Sequence, residues 1–314
     1  MSTRVVATDF GGPEVLSVVE RTLPDPGPGE VRIRVRAAAV NPWDHKQYSG
    51  LMGSDVSALP MPLGLEAAGE VVDVGADAVG PTGPISVGDA VIVNVGTGAY
   101  ASELNVPAAS VYAKPDRLGW AEASGLLVTG STAAHLLAAT SVASGDTLLI
   151  HGASGSVGLA ATQLARRRGA RVIGTASERN HNTLSELGAV PVAYGAGLED
   201  RVRALAPDGV DAAIDTIGTD EAIDASLKLV PDTQRVASVV AFHRAGDGIR
   251  LLGSGPGADP GEQVRARAKL DLLDDAETGT YRVVLGPSYP LADAARAHRL
   301  SISGHPGGKV VLVP

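Results

Sequence analysis

No cysteine occurs among the 314 residues, which excludes disulfides, thiolate catalysis and a cysteine-ligated zinc. Aromatic residues make up only 3% while hydrophobic residues reach 44%, so the core must be built from Ala, Val, Leu and Ile, a composition suited to a parallel sheet covered by helices. No run of 18 apolar residues is present, and the opening MSTRVVATDF lacks the charged start and apolar centre of a signal peptide. These absences predict a soluble, cytoplasmic chain with no membrane partner. Basic runs are missing too: 26 Lys and Arg stand against 35 Asp and Glu, for a net charge of -9. A nucleic acid is therefore not an expected partner, because phosphate neutralisation needs clustered positive charge. The histidines are scattered, with none spaced i, i+4 on a predicted helix, and no metal site is expected.

What is present is the stretch at 147–177, TLLIHGASGSVGLAATQLARRRGARVIGTAS. An apolar strand runs into a turn where Ala153, Gly155 and Gly158 stand at the three positions of a GxGxxG fingerprint. The first permits a tight turn, the second lets backbone N–H groups reach a pyrophosphate, and the third lets the helix pack on its strand. Phosphates would lie along Ala153, Ser154, Gly155, Ser156, Val157 and Gly158, on the helix N-terminus. A helix at 157–168 and a second strand at 171–175 supply the context that a bare glycine loop lacks. The segment implies an NAD(P) site.

The end of that second strand bears on which dinucleotide is held. A carboxylate commonly stands there to bond the ribose 2′-hydroxyl, but this chain reads Ala176, Ser177, Glu178, Arg179, Asn180. A hydroxyl, a guanidinium and an amide suit a 2′-phosphate, so Ser177, Arg179 and Asn180 are the candidates and NADPH the expected cofactor. Glu178 weighs against it, and capping of a helix beginning near Asn180 is the other reading of these residues.

Length allows two domains. Short alternating segments at 31–40, 69–75 and 89–96, separated by Gly and Pro clusters, predict a β-rich domain. From about 121 onward helices (121–127, 131–139) and strands (210–214, 235–241) alternate, which predicts a doubly wound α/β sheet. A helix at 290–300 and a last strand at 308–314 close the chain.

Taken together, GGPEVL at 11–16, NPWDHKQYSG at 41–50, PLGLEAAGEVVDVG at 62–75, VGDAVIV at 87–93, the fingerprint, DTIG at 215–218 and AARAHRLSISGHPGGKVVL at 294–312 resemble the zinc-free quinone oxidoreductases of the medium-chain dehydrogenase/reductase family. The resemblance implies a GroES-like catalytic domain at 1–121 and 259–314, a Rossmann domain inserted at 122–258, and an active cleft at their junction. It also implies a homodimer that pairs strands near 249–254. Zinc-dependent relatives place a Cys near Asn41 and the His of Gly-His-Glu where this chain has Leu65, between Gly64 and Glu66, so metal-assisted alcohol dehydrogenation is not implied.

What remains is direct hydride transfer from NADPH to a quinone or enone, with orientation supplying most of the catalysis. By resemblance, Asn41, Asp44 and Tyr48 line the cleft. Asn41 is a candidate donor to the acceptor oxygen, or simply part of an Asn-Pro turn. Tyr48 is a candidate proton donor, or a structural loop residue, with solvent as the other source. Asp44 could equally pair with Lys46 at the surface. Val128 and Thr132 are implied beside the nicotinamide, Thr216 and Ile217 near the ribose, and Ala241, Phe242 and His243 at the carboxamide end. His151 reads as a packing or turn residue and His135 as a helix-surface or interface one. The Gly- and Pro-rich segment at 253–262 reads as a mobile loop. Two other functions fit the same residues: an enoyl thioester reductase, and an NADPH-binding sensor or structural protein with little turnover.

Overall fold

In a computed structural model, residues 1–304 and 307–314 are described; His305 and Pro306, inside the quoted C-terminal segment, lie outside the described residues. The chain divides into two compact units, Met1–Val128 with Leu273–Pro314, and Thr129–Leu272. These boundaries fall later than 121 and 258. The reason is local: each lies inside a helix, Leu127–Ala139 or Glu262–Thr278, where no Gly or Pro cluster marks a linker.

The first unit is built on a mixed sheet in the order Val111–Ala113, Ala90–Asn94, Glu66–Val74, Glu30–Ala39, Lys309–Val313, Leu285–Pro290, with Glu103–Pro107 also paired to Glu30–Ala39. Strand Glu30–Ala39 shows how the alternating pattern works. Val31, Ile33 and Val35 are buried, while Arg34 and Arg36 reach across to Glu103 at 3.2 Å and Glu70 at 2.7 Å. The late segment Lys309–Val313 lies antiparallel beside it, Val311 opposite Ala39. A separate three-stranded sheet joins Leu16–Arg21, Ser2–Ala7 and Met61–Pro62.

The second unit holds a six-stranded, all-parallel sheet in the order Val190–Val192, Arg171–Thr175, Thr147–His151, Ala212–Asp215, Val236–Ser238, Arg250–Leu251. Helices Ser156–Arg167, His181–Glu186, Leu198–Leu205 and Asp220–Leu229 alternate with the strands, as a parallel sheet requires. Leu148, Leu149 and Ile150 are wholly buried, which fits a strand covered on both faces. The predicted doubly wound order is thus present. The predicted strand at 235–241 is shorter, ending at Ser238 and followed by a 3-10 turn, Phe242–Asp247.

Candidate active site

In the dinucleotide-type unit, strand Thr147–His151 ends at Gly152, whose φ of +72° is open to glycine and strained for other residues. The left-handed residue of the turn is therefore Gly152, one position before the Ala153 picked out by the spacing rule. Gly155 caps the helix Ser156–Arg167. At Gly158 a Cβ would lie 2.4 Å from the Gly152 carbonyl oxygen and 2.6 Å from the Ala153 Cα, so the helix sits on its strand only because this residue has no side chain. Unpaired N–H groups at that helix start form an anion-accepting end.

The neighbouring strand ends are fixed by a buried carboxylate. Asp215 accepts from the N–H groups of Ile217 and Gly218 and from the Ser238 hydroxyl at 2.6 Å, and Ser238 Oγ in turn accepts from Val240 and Ala241 N–H. The Thr216 hydroxyl donates to the His151 carbonyl at 2.9 Å. Thr216, Ile217 and Ala241 thus stand in one braced set of loops at the carboxyl ends of adjacent strands, where doubly wound sheets take ligands. Phe242 packs against the backbone of Gly255, and His243 is exposed, 3.2 Å from Asp220. His151 is buried, and burial holds its imidazole down to about 4 against the pull of Asp215. Past strand Arg171–Thr175, Arg179 is exposed, and the Asn180 amide donates to Ser177 Oγ at 3.3 Å.

Thr132 and His135 share a helix face with Arg265, which donates to Thr132 Oγ1 at 3.1 Å and to His135 Nδ1 at 3.3 Å. His135 is buried rather than on a helix surface, and its other nitrogen meets Asp259 at 3.2 Å. Burial lowers its pKa, opposed by Asp259. The segment at 253–262 is correspondingly tied down: Gly253 N–H donates to the Asp259 carbonyl, Asp259 N–H to Leu251, and Gly261 N–H to the Asp259 carboxylate. One aspartate thus takes part in three of the hydrogen bonds of this Gly- and Pro-rich segment.

In the first unit the three candidate catalytic residues are gathered by one helix, Pro42–Tyr48. Asn41 caps it and Pro42 opens it, so the Asn-Pro pair begins a helix instead of making an isolated turn. Asp44 accepts from the Asn41 backbone N–H at 2.9 Å and from the Tyr100 hydroxyl at 2.6 Å. It is wholly buried and makes no pair with Lys46. Burial pushes its carboxyl up to about 6, although the Tyr100 and Asn41 hydrogen bonds and the charge of Lys309 favour the anion. Tyr48 is also wholly buried, its hydroxyl 2.8 Å from His298 Nδ1. Tyr48 ends a helix and is not a loop residue, and His298, 250 residues later, packs over it. Burial and Asp44 raise the Tyr48 pKa, and burial lowers His298 to about 4.

The residue the sequence reading missed is Lys309. Its side chain is 2% exposed, and its ammonium donates to Asn41 Oδ1 at 2.5 Å and lies 3.2 Å from Glu66 Oε1. The Asn41 amide nitrogen points at Ala39 O and Glu66 Oε1, both at 3.3 Å. Glu66 Oε2 accepts from Val128 N–H at 2.8 Å, at the start of helix Leu127–Ala139. The amide of Asn41 is therefore held on both sides, its oxygen on a cation and its nitrogen on an anion. Where a metal-ligating set would need soft or imidazole donors, this chain offers an amide, an ammonium and Leu65. Among the described residues no group of three or more His, Asp or Glu is arranged to hold a metal ion. No helix of the described residues is long and apolar enough to cross a membrane.

Residues 27–116 match the model for the alcohol dehydrogenase GroES-like domain, and 187–312 match that for zinc-binding dehydrogenases. The chain is 32% identical to a quinone oxidoreductase of Pseudomonas aeruginosa, across 100% of both chains. Among solved structures it is similar to a mycobacterial protein complexed with NADPH, at 32% identity and a TM-score of 0.85 over 100% of both chains. It is also similar to the quinone oxidoreductase of Escherichia coli complexed with NADPH, at 28% identity and a TM-score of 0.85, covering 99% of this chain and 100% of that one.

Proposed function

We propose, for a chain that belongs to the medium-chain dehydrogenase/reductase family and to its quinone oxidoreductase group, an NADPH-dependent reduction of quinones or related α,β-unsaturated carbonyls that uses no metal. The observation that carries this reading is the state of Asn41, closed between Lys309 and Glu66 at 2.5 and 3.3 Å. That is an internally neutralised amide in place of a metal-ligand set, and a quinone or enone needs no Lewis acid because its acceptor carbon is already electrophilic.

NADPH fits the second unit. The side-chain-free approach at Gly158 and the start of helix Ser156–Arg167 provide room and N–H donors for the pyrophosphate. Ser177, Arg179 and Asn180 would hold the 2′-phosphate, with no carboxylate at Ala176 to repel it. Within this unit Thr132, Thr216, Ile217, Ala241, Phe242 and His243 would hold the ribose and nicotinamide, and Val128 remains a separate candidate for the nicotinamide by resemblance. When bound, NADPH supplies the hydride. The protein's share is orientation, which accounts for most of the acceleration in such a transfer.

In the first unit, Lys309 fixes which end of the Asn41 amide is the donor and polarises it, and an acceptor oxygen gaining charge competes with Ala39 O and Glu66 Oε1, each at 3.3 Å, for that N–H. Asp44 holds Asn41 from the backbone side. Tyr48 is committed to His298, and solvent delivers the final proton. A homodimer through the edge strand Arg250–Leu251 completes this reading, and sedimentation tests it.

The deciding experiment follows NADPH and NADH oxidation by absorbance with 1,4-benzoquinone, phenanthrenequinone, a simple enone and an enoyl thioester, each with and without chelator. Fast, chelator-insensitive turnover of NADPH with quinones is expected. Preference for the thioester would move the enzyme to acyl metabolism. Saturable NADPH binding with no oxidation by any acceptor would make the protein a sensor and overturn the proposal.

A further inference from the structure

Arg34 and Arg36 of the first unit each meet a glutamate from the next strand, as cross-strand neighbours of opposite charge do. Arg4 and Arg21 are placed differently. In the ribbon of Ser2–Ala7 and Leu16–Arg21, Arg4 stands opposite Val19 and Arg21 opposite Ser2, which makes the arginines diagonal neighbours on one face. Both line a cavity of about 160 Å³ walled by Pro62, Thr97 and Asn105. Arg4 Nε is buried without a hydrogen-bond partner. Glu103 also lines the cavity, but its carboxylate is taken by Arg34 at 3.2 Å. Burial, and after it the charge of Arg21, lower the pKa of Arg4.

A protein of net charge -9 that leaves two guanidiniums side by side at a cavity, one with an unspent buried donor, has the parts of an anion site. We propose that Arg4 and Arg21 bind a small phosphate-type oxoanion in this cavity. Guanidinium forks match tetrahedral oxoanions two bonds at a time, and Arg4 Nε is a further unspent donor on the same side chain. The volume suits inorganic phosphate or the head of a small monoester and is far too small for a dinucleotide. The site is separate from the residues assigned to NADPH and does not rest on that assignment.

The test titrates the full chain, saturated with NADPH so that its own phosphate positions are filled, with inorganic phosphate and with glycerol phosphate at constant ionic strength in chloride. One saturable phosphate per chain is expected, with a Kd below about 1 mM, and Arg4→Met and Arg21→Met each weaken it at least about tenfold. Tighter binding of glycerol phosphate would assign the site to a monoester. As a second reading, the urea midpoint of the wild type rises in phosphate over chloride, whereas both variants match or exceed the wild type in chloride and gain nothing from phosphate. Absence of saturable binding, or binding unchanged in both variants, overturns the proposal. Should NADPH itself fail to bind, the two arginine variants still separate this site from any other phosphate site.

Discussion

Lys309 Nζ lies 3.2 Å from Glu66 Oε1, with the two side chains 2% and 0% exposed. A pair removed from water in this way is costly to break, because either partner left alone is an uncompensated charge. Lys309→Met is expected to cost about 3–5 kcal/mol in guanidinium unfolding. Adding Glu66→Gln recovers most of that loss, since an amide oxygen still accepts from Val128 N–H. A loss of the size typical for a surface substitution in Lys309→Met would show that the pair carries little.

Acid and neutral pH should pull stability in opposite directions. His151 and His298 are held near 4, below the ordinary histidine value, so their contributions are present above about pH 6.5 and are lost as pH falls toward 4. Asp44 is raised to about 6. Its contribution is full below the unfolded carboxyl value and is lost as pH rises through 6. The stability of Asp44→Asn relative to wild type is expected to climb by about 3 kcal/mol between about pH 4 and pH 8, two units at roughly 1.4 kcal/mol each. Urea midpoints across that range read it out, and a flat difference would mean that Asp44 titrates normally.

On the proposed reading, Arg179 decides cofactor choice. Its guanidinium is exposed past the end of strand Arg171–Thr175, and Arg179→Ala is expected to raise KM for NADPH about tenfold, roughly 1.4 kcal/mol, while leaving KM for NADH unchanged. Equal effects on both dinucleotides would reassign the residue to capping.

Two glycines of the phosphate turn should separate stability from binding. A Cβ at Gly158 would come within 2.4 Å of the Gly152 oxygen, whereas at Gly155 the nearest atom is 3.3 Å away. Gly158→Ala is expected to lose about 1–3 kcal/mol through overpacking together with NADPH binding. Gly155→Ala should keep near wild-type thermal stability and lose affinity, because its Cβ intrudes on the pyrophosphate approach. Equal melting temperatures for the two variants would contradict this division.

The sequence made the dinucleotide unit legible because its signals are local. Strand, turn, helix and strand follow one another within about thirty residues, and the structure differs only in placing the left-handed residue at Gly152 and in starting the helix at Ser156. The alternation at 31–40 likewise reports a strand through its own period. What stayed hidden was made by distant partners. Tyr48 is buried by His298 across 250 residues, and Asp44 is engaged by Tyr100. Lys309 read only as part of a terminal strand at 308–314, since nothing near it announces Asn41 or Glu66. In the segment at 253–262, too, the hydrogen bonds of Asp259 are not visible in a composition of glycine and proline.

The bond from Lys309 to Asn41 spans 268 positions of the chain, and all of the dinucleotide unit is encoded between them. During synthesis, Glu66 and Asn41 leave the ribosome long before the ammonium that neutralises them, so the earlier sheet must wait, with a carboxylate in its interior and the place of the strand Lys309–Val313 still vacant. The middle unit, whose parallel strands are contiguous in sequence, has everything it needs to fold first. The topology thus lets the inserted body close on its own contacts, whereas the first unit closes only once the strand Lys309–Val313 has been made.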